Sequence, residues 1–307
     1  MALSGLESGL RQGRLQGRKT GLGMASSRSG LISGRTNGIA NKDKMQNPVL
    51  LASAINDCPF FYWNADNLTV VGGNVTAITN LLGKYNPLTQ SAISSMSVLS
   101  DPAYNSAAVF NNRAAVTFDS TDVFSTNNLA VPDMTNTSEM TMIMVCRPVS
   151  TSRSVLFWKK DDSGDPVFVA TIGDLSVEFD GTNINVIFTG NPTTQTATYR
   201  AVDSTIKNNW IILTVKARLS SPDGPGSFLD IFVNGKRCKT LVTDTITSLP
   251  RVATSTWANS YIQFGNSSQT TGGNNQIAAG FITEQWMNES EQLRLENYFR
   301  WYYGYNF

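Results

Sequence analysis

The stretch QIAAGFITEQWMNESEQLRLENYFRWYYGYNF, residues 276–307, runs a strand into a helix, and the rest of the chain is read outward from it. Ile277 through Trp286 is an alternating apolar run of strand character. Asn288 stands where a helix N-cap belongs, and Glu291 completes a capping box three residues later. Glu289 and Glu291 also suit the positive end of the helix dipole. Leu295, Phe299 and Tyr302 recur at i, i+4 and i+7, with Leu293 and Tyr298 beside them, so the spacing predicts one apolar face on which Leu295, Phe299 and Tyr302 are buried. Gly304 supplies the stop.

Upstream of this helix the chain reads as strands. Phe60–Asn64, Leu68–Val71 and Val75–Leu81 come first, the last two flanking the hairpin signal Gly72-Gly73-Asn74. Residues 84–106 carry little pattern and read as a long surface connection. Ala114–Phe118 and Glu139–Arg147 follow, the latter with Met140, Met142 and Met144 alternating as a core face. Val155–Trp158, Val167–Ile172, Leu175–Phe179, Ile184–Phe188, Thr196–Val202, Trp210–Lys216 and Phe228–Val233 succeed one another between turn clusters. Asp180-Gly181 and Asn234-Gly235 suit tight hairpins. Many short strands without intervening helices predict an all-β fold, a two-sheet antiparallel jelly-roll sandwich with a C-terminal helix.

Four segments give that prediction a family. The terminal ENYFRWYYG (Glu296–Gly304) resembles the aromatic finish of laminin-G-like, or concanavalin A-like, jelly rolls, many of them in bacteriophage and bacterial proteins. FYWNADNLTVVGGNVTAITN (Phe61–Asn80) is similar to the family's opening strand pair, RAAVTFDSTD (Arg113–Asp122) to an inner segment, and FLDIFVNGKR (Phe228–Arg237) to one of its hairpins. The resemblance covers roughly residues 60–304 and implies a sandwich; it does not by itself imply an activity.

Composition bounds the alternatives. A hydrophobic fraction of 41% in 307 residues is enough for a full core, and one sandwich plus an arm accounts for the length. No apolar run approaches the length of a membrane span. MALSGLESGLRQGR, at the start, has no continuous apolar core before its charges, which argues against a secretory signal and for synthesis in a cytoplasm. Cys58, Cys146 and Cys238 are too scattered for a disulfide framework and read as buried thiols. The sequons at Asn67, Asn74, Asn136, Asn266 and Asn288 are no more than an Asn/Ser/Thr-rich chain produces by chance.

Charge separates an N-terminal arm, residues 1–46, from the jelly roll, residues 47–307. Residues 1–45 carry eight Lys/Arg against Glu7 and Asp43, a net +6, which leaves −5 for the remainder of a chain of total charge +1. Gly5, Gly9, Gly13, Gly17 and Gly21 fall every four residues, and Gly30, Gly34 and Gly38 resume the period. Each glycine in a helix costs about 1 kcal/mol relative to alanine, so this arm is expected to order only against a partner. Its expected contacts are Leu6, Leu10, Arg11, Arg14, Arg18, Leu22, Leu31, Arg35 and Ile39. Leucine and arginine share one register, which favours a protein partner and disfavours nucleic acid.

The chemistry is mostly one of exclusion. The chain contains no histidine, which removes His-based triads, His metal sites and the commonest general base. Glucan-cleaving relatives of this fold use an E-x-D-x-x-E strand; Glu178-Phe179-Asp180 supplies the first half, but Asn183 stands where the second Glu belongs. Glu178 and Asp180 are therefore expected to be solvated carboxylates at a strand end, and the protein is expected not to be an enzyme. Asp161, Asp162 and Asp165 cluster in KKDDSGDP as a candidate calcium loop, and no other cofactor is indicated. Trp158, Trp257 and Trp286 are the candidate sugar-stacking residues. Two functions follow as expectations. One is a bacteriophage virion structural protein, a head decoration, head fibre or tail component, homo-oligomeric and held to other virion proteins by the arm. The alternative is a carbohydrate-binding module recognising cell-surface glycans.

Overall fold

The computed structural model describes residues 59–81, 95–99, 102–119, 122–125, 139–151, 153–160, 175–189, 196–218, 229–245, 261–265, 274–283 and 285–304. All of them belong to the unit Asn47–Phe307. The arm, Cys58, the strand expected at 167–172, the Asp161/Asp162/Asp165 loop and Trp257 lie outside the described residues.

Two antiparallel sheets face each other. In the first, β15 (Lys236–Arg237), β14 (Leu229–Val233), β13 (Ile211–Arg218), β8 (Glu139–Arg147) and β18 (Asn275–Thr283) run side by side. The far edge of β18 is shared by β1 (Pro59–Asn64) at one end and β6 (Arg113–Phe118) at the other. From β6 the sheet continues through β5 (Ala103–Val109) and β3 (Asn74–Thr79) to β2 (Thr69–Val71). The second sheet is ordered β16 (Lys239–Asp244), β12 (Thr196–Ala201), β11 (Ile184–Thr189), β10 (Leu175–Phe179), β9 (Ser154–Lys160), β17 (Tyr261–Gly265), β7 (Val123–Ser125) and β4 (Ser95–Leu99). Ile78 opposite Met96 joins the sheets along one edge. This is the expected sandwich. Among the described residues no helix is long and apolar enough to cross a membrane.

Period-2 side chains from both sheets fill the space between them. Trp63 meets Phe124 and Phe264 edge-on at 5.2 and 5.5 Å, and Phe118, Phe157, Phe179, Tyr199 and the three alternating methionines of β8 are fully buried around them. Cys146 and Cys238 are buried free thiols, and burial pushes Cys238 up to about 11, so both stay protonated. Residues 84–106 do not form the expected connection: β4 and the start of β5 lie within them. β5 escapes notice because its burial hardly alternates, most of it being half-covered or exposed.

Helix α1 (Glu289–Tyr303) closes the fold as its sequence predicts. The Asn288 side chain accepts from Glu291 N, the Glu291 carboxylate accepts from Asn288 N at 3.1 Å, and Gly304 ends the helix at φ 65°. A side chain on Gly304 would meet Asn111 at 2.1 Å as well as the strain of the left-handed backbone. The helix lies on the outward face of the first sheet, which is why β8 and β18 are buried on both faces and β18 lacks strict alternation. Leu295 and Phe299 are buried, but the third member of the stripe is Tyr303, with Tyr302 half-buried and Leu293 50% exposed. Strand β18 ends at Thr283, and Trp286 falls in the linker held by Thr141, whose hydroxyl donates to Gln285 O (2.6 Å) and accepts from Met287 N (3.0 Å).

Candidate functional site

Two polar constellations stand out on the described surface, and sequence reasoning pointed at only one. That one begins on β10. Leu175, Val177 and Phe179 face the core, leaving Ser176 and Glu178 on the opposite side. Glu178 is not solvated: it is 4% exposed and held bidentately by Arg153, Nε at 2.5 Å and Nη2 at 2.8 Å, with Ser176 Oγ donating at 3.1 Å. The charge-assisted bonds raise the Arg153 guanidinium further. Asp180 folds back in the β10–β11 turn, accepting from Thr182 N (2.9 Å), Asn183 N (2.7 Å) and Asn185 Nδ2 (2.9 Å). Burial alone would raise Asp180; those donors outweigh it and hold the carboxyl below its ordinary value. Arg200 donates to Asn185 Oδ1 at 3.0 Å and extends the network onto β12. Each carboxylate is thus neutralised by fixed partners, an arrangement suited to holding a turn and not to proton transfer.

The second constellation surrounds the end of α1. Trp301 is 62% exposed, the largest exposed aromatic among the described residues. Its ring centroid lies 6.0 Å from Tyr298, which stacks on Tyr302 at 5.6 Å, and the Arg113 guanidinium sits 4.1 Å above the Tyr302 ring. Asp66 ties this group to the sheet. It accepts from Tyr302 OH at 2.8 Å and Ala114 N at 3.0 Å and pairs with Arg113 at 3.6 Å. A short 3₁₀ turn, Ala65–Asn67, sets Asp66 there, and the left-handed Asn111 and Asn112 (φ 59° and 53°) deliver Arg113 into β6. Burial, then the bond to Asp66, raises the Tyr302 phenol, so its hydroxyl stays a donor. Asn67 donates to Asn64 Oδ1 at 2.6 Å, and Asn64 to Tyr62 OH at 3.0 Å, continuing the polar row. The exposed Trp301 ring is thus linked through Tyr298 to a set of side chains that hold one another in place.

Of the tryptophans expected to stack on sugars, Trp158 lies in register with Ser176 and Gln263 on β9. Trp286 is half-buried over Lys216 Nζ at 5.2 Å, its backbone N donating to Glu139 at 3.0 Å, and so serves as a lid on that lysine. Trp301, Asp66 and Arg113 were missed. A signal existed for Trp301: at about 100° per residue it stands roughly 200° round the helix from Phe299, away from the buried face. Among the described residues no group of three or more His, Cys, Asp or Glu comes together to hold a metal.

No protein-family model matches the chain, and no curated protein matches it. Solved structures do. The receptor-binding domain of botulinum neurotoxin type G is 10% identical at a TM-score of 0.45, over 77% of this chain and 50% of that one. The botulinum serotype D ligand-binding domain in complex with N-acetylneuraminic acid is 10% identical at 0.48, over 79% and 51%. Domain 4 of AbnA, a GH43 extracellular arabinanase of Geobacillus stearothermophilus in complex with arabinotriose, is 13% identical at 0.48, over 77% and 96%. This chain thus spans about half the length of the toxin chains. The likeness is one of sandwich architecture; function rests on this chain's own residues.

Proposed function

We propose that the jelly roll is a non-catalytic carbohydrate-recognition domain that binds a glycan at the α1 end, through Trp301, Tyr302, Arg113 and Asp66. The observation that carries this is the 62% exposed Trp301 beside a closed Tyr302–Asp66–Arg113 set. An exposed indole gives the C–H face of a pyranose its apolar contact, while Asp66 and Asn67 offer oxygen and amide groups to its hydroxyls. Arg113 and Asp66 cancel in charge, which suits a neutral sugar better than an acidic one. The locked Glu178 and Asp180 support recognition without hydrolysis. Glycan-array binding of the full chain tests it: the wild type retains a neutral glycan and Trp301→Ala loses it while unfolding at the wild-type temperature. Binding that survives Trp301→Ala, or an array on which the wild type binds nothing, overturns the assignment.

One observation favours a second role alongside the first: the net +6 arm with its glycine period. On this reading the arm anchors the jelly roll to a virion, and the sugar site faces outward. Removing residues 1–46 would then leave a folded domain that no longer joins the particle; normal incorporation of the truncated chain would refute it.

A further inference from the structure

Gln292 Oε1 and Glu296 Oε2, one turn apart on α1, are both buried without a hydrogen-bond partner. The residues are 4% and 0% exposed, so bulk water does not reach them. The other halves of the same two groups are already joined: Gln292 Nε2 donates to Glu296 Oε1 at 2.9 Å, and that oxygen also accepts from Thr214 Oγ1 of β13 at 2.8 Å. Nearby cations are engaged elsewhere. Arg300 Nη2 lies 3.5 Å from Oε2 but donates to Asn234 O at 2.6 Å, and Arg300 Nη1 donates to Asn297 Oδ1 at 2.8 Å. Lys216 Nζ, facing from β13, donates to Met287 O at 2.9 Å. Arg300 and Lys216 are the charged groups that face Glu296; the Asn234-Gly235 turn, which also lies against Oε2, brings no ionisable group.

We infer that Glu296 of the docked helix carries a proton on Oε2 and donates it to Gln292 Oε1, closing a carboxyl–carboxamide ring that acts as a pH-sensitive latch between α1 and the sheet. A carboxylic acid has one O–H to give and a carboxamide one free carbonyl to receive it, so a single proton satisfies both oxygens at once. Gln292 Nε2 favours the ionised form of Glu296 and Gln292 Oε1 the protonated one. Burial favours the protonated form as well, and raises this carboxyl above its ordinary value. When the proton is lost to water, two acceptors face each other beside a buried charge, and lifting α1 into solvent is what relieves them. Thr214 keeps its bond to Oε1 in either state, so the ring and not the contact with β13 is what titrates. The latch stands independently of the sugar site, although Trp301 and Tyr302 ride on the same helix.

NMR of the full chain, labelled at the side-chain carbonyl carbons of Glu and Gln, tests the ring. In the wild type the Glu296 and Gln292 signals should titrate together, with one midpoint. Hydrogen exchange of the α1 amides tests the latch. Once the carboxyl has titrated, those amides should exchange about tenfold faster than the intrinsic base-catalysed trend, the factor that corresponds to one lost buried hydrogen bond. Glu296→Gln places an amide N–H where the acid O–H stands and keeps the ring closed at every pH, so its α1 amides should follow the intrinsic trend alone. A Gln292 signal that stays fixed while Glu296 titrates, as a bridging water would give, overturns the proposal. So does a Glu296 that stays ionised down to acid unfolding, or a Glu296→Gln helix that loosens with pH as the wild type does.

Discussion

The two sheets of this sandwich treat their outward faces in opposite ways. On the first, α1 covers β8 and β13, so that Thr141, Ile143, Val145, Ile212, Thr214 and even Lys216 are buried on the side facing away from the main core. On the second, Arg153 at the start of β9 holds Glu178 on β10, and a separate set of hydrogen bonds and an ion pair joins Asp180, Asn185 and Arg200 from the β10–β11 turn to β12. The covered face is an apolar layer with a few polar seams. The other satisfies its charges laterally, strand to strand. Most polar groups on either face are paired because leaving them unpaired out of water is expensive, Gln292 Oε1 and Glu296 Oε2 under α1 being the exceptions while Glu296 is ionised; what differs is whether the partner comes from a covering helix or from the next strand.

If the helix is an integral third layer, the largest single effect lies there. Phe299 is 1% exposed and its ring lies 6.2 Å from Tyr62. Phe299→Ala should cost about 3–5 kcal/mol in urea denaturation. A loss below about 1 kcal/mol would mean that the helix is only laid against the sheet and that the comparison fails.

The lateral network predicts an asymmetry. Arg153 is 59% exposed and can return to water, whereas Glu178 cannot. Arg153→Ala should therefore cost about 1–3 kcal/mol by stranding a buried carboxylate, and Glu178→Ala less. Equal losses would show that the pair acts by packing alone. The double variant E178A/D180A should alter no polysaccharide-cleaving activity; cleavage that disappears with it would restore the enzymatic reading.

A smaller effect isolates one contact between α1 and the sheet. Arg300 Nη2 donates to Asn234 O at 2.6 Å, and a side chain on Gly235 (φ 82°) would lie 2.8 Å from Arg300 and 2.9 Å from Glu296. Gly72 has a similar φ of 62° with nothing within 4 Å. Gly235→Ala should exceed Gly72→Ala by about 1 kcal/mol, the shared backbone strain cancelling in the difference. Equal costs would mean that the turn and helix end make no cooperative contact.

What the sequence made legible divides along the same line. Local devices were readable: the Asn288–Glu291 box, Gly304, the Asn234-Gly235 turn and the methionine strand all announce themselves within a few residues. Partners fixed by tertiary pairing were not. Arg153 reaches Glu178 across 25 positions, and Asp66 meets Tyr302 across 236. Trp301, Tyr302 and Tyr303 are consecutive aromatics; the stripe from Leu295 reaches both Tyr302 and Tyr303, and only packing against Ala278 O, which accepts from Tyr303 OH at 2.9 Å, decides between them. The candidate sugar site was missed for that reason: its aromatic half lay in a segment read as core, and its polar half more than 180 residues upstream.

The finest test concerns Glu296, fully buried where α1 meets β13. Its Oε1 accepts from Thr214 Oγ1 at 2.8 Å and Gln292 Nε2 at 2.9 Å, while Oε2 has only Arg300 at 3.5 Å. Burial raises its pKa above the ordinary 4.5, although the two hydrogen bonds, Arg300 and Lys216 all pull the other way. Because the folded value is the higher one, the folded chain holds this proton over a range of pH in which the unfolded chain has released it. The stability this group contributes is thus complete below the unfolded value and is lost as pH rises through the folded one. Glu296→Gln keeps an acceptor for Thr214 and Gln292 and removes the titration. Its stability relative to wild type should therefore increase as pH is raised from 4.5 toward neutrality and level off beyond the folded value. A difference constant across that window would show that Arg300 keeps the buried carboxylate ionised throughout, making the covered face as fully paired in charge as the exposed one.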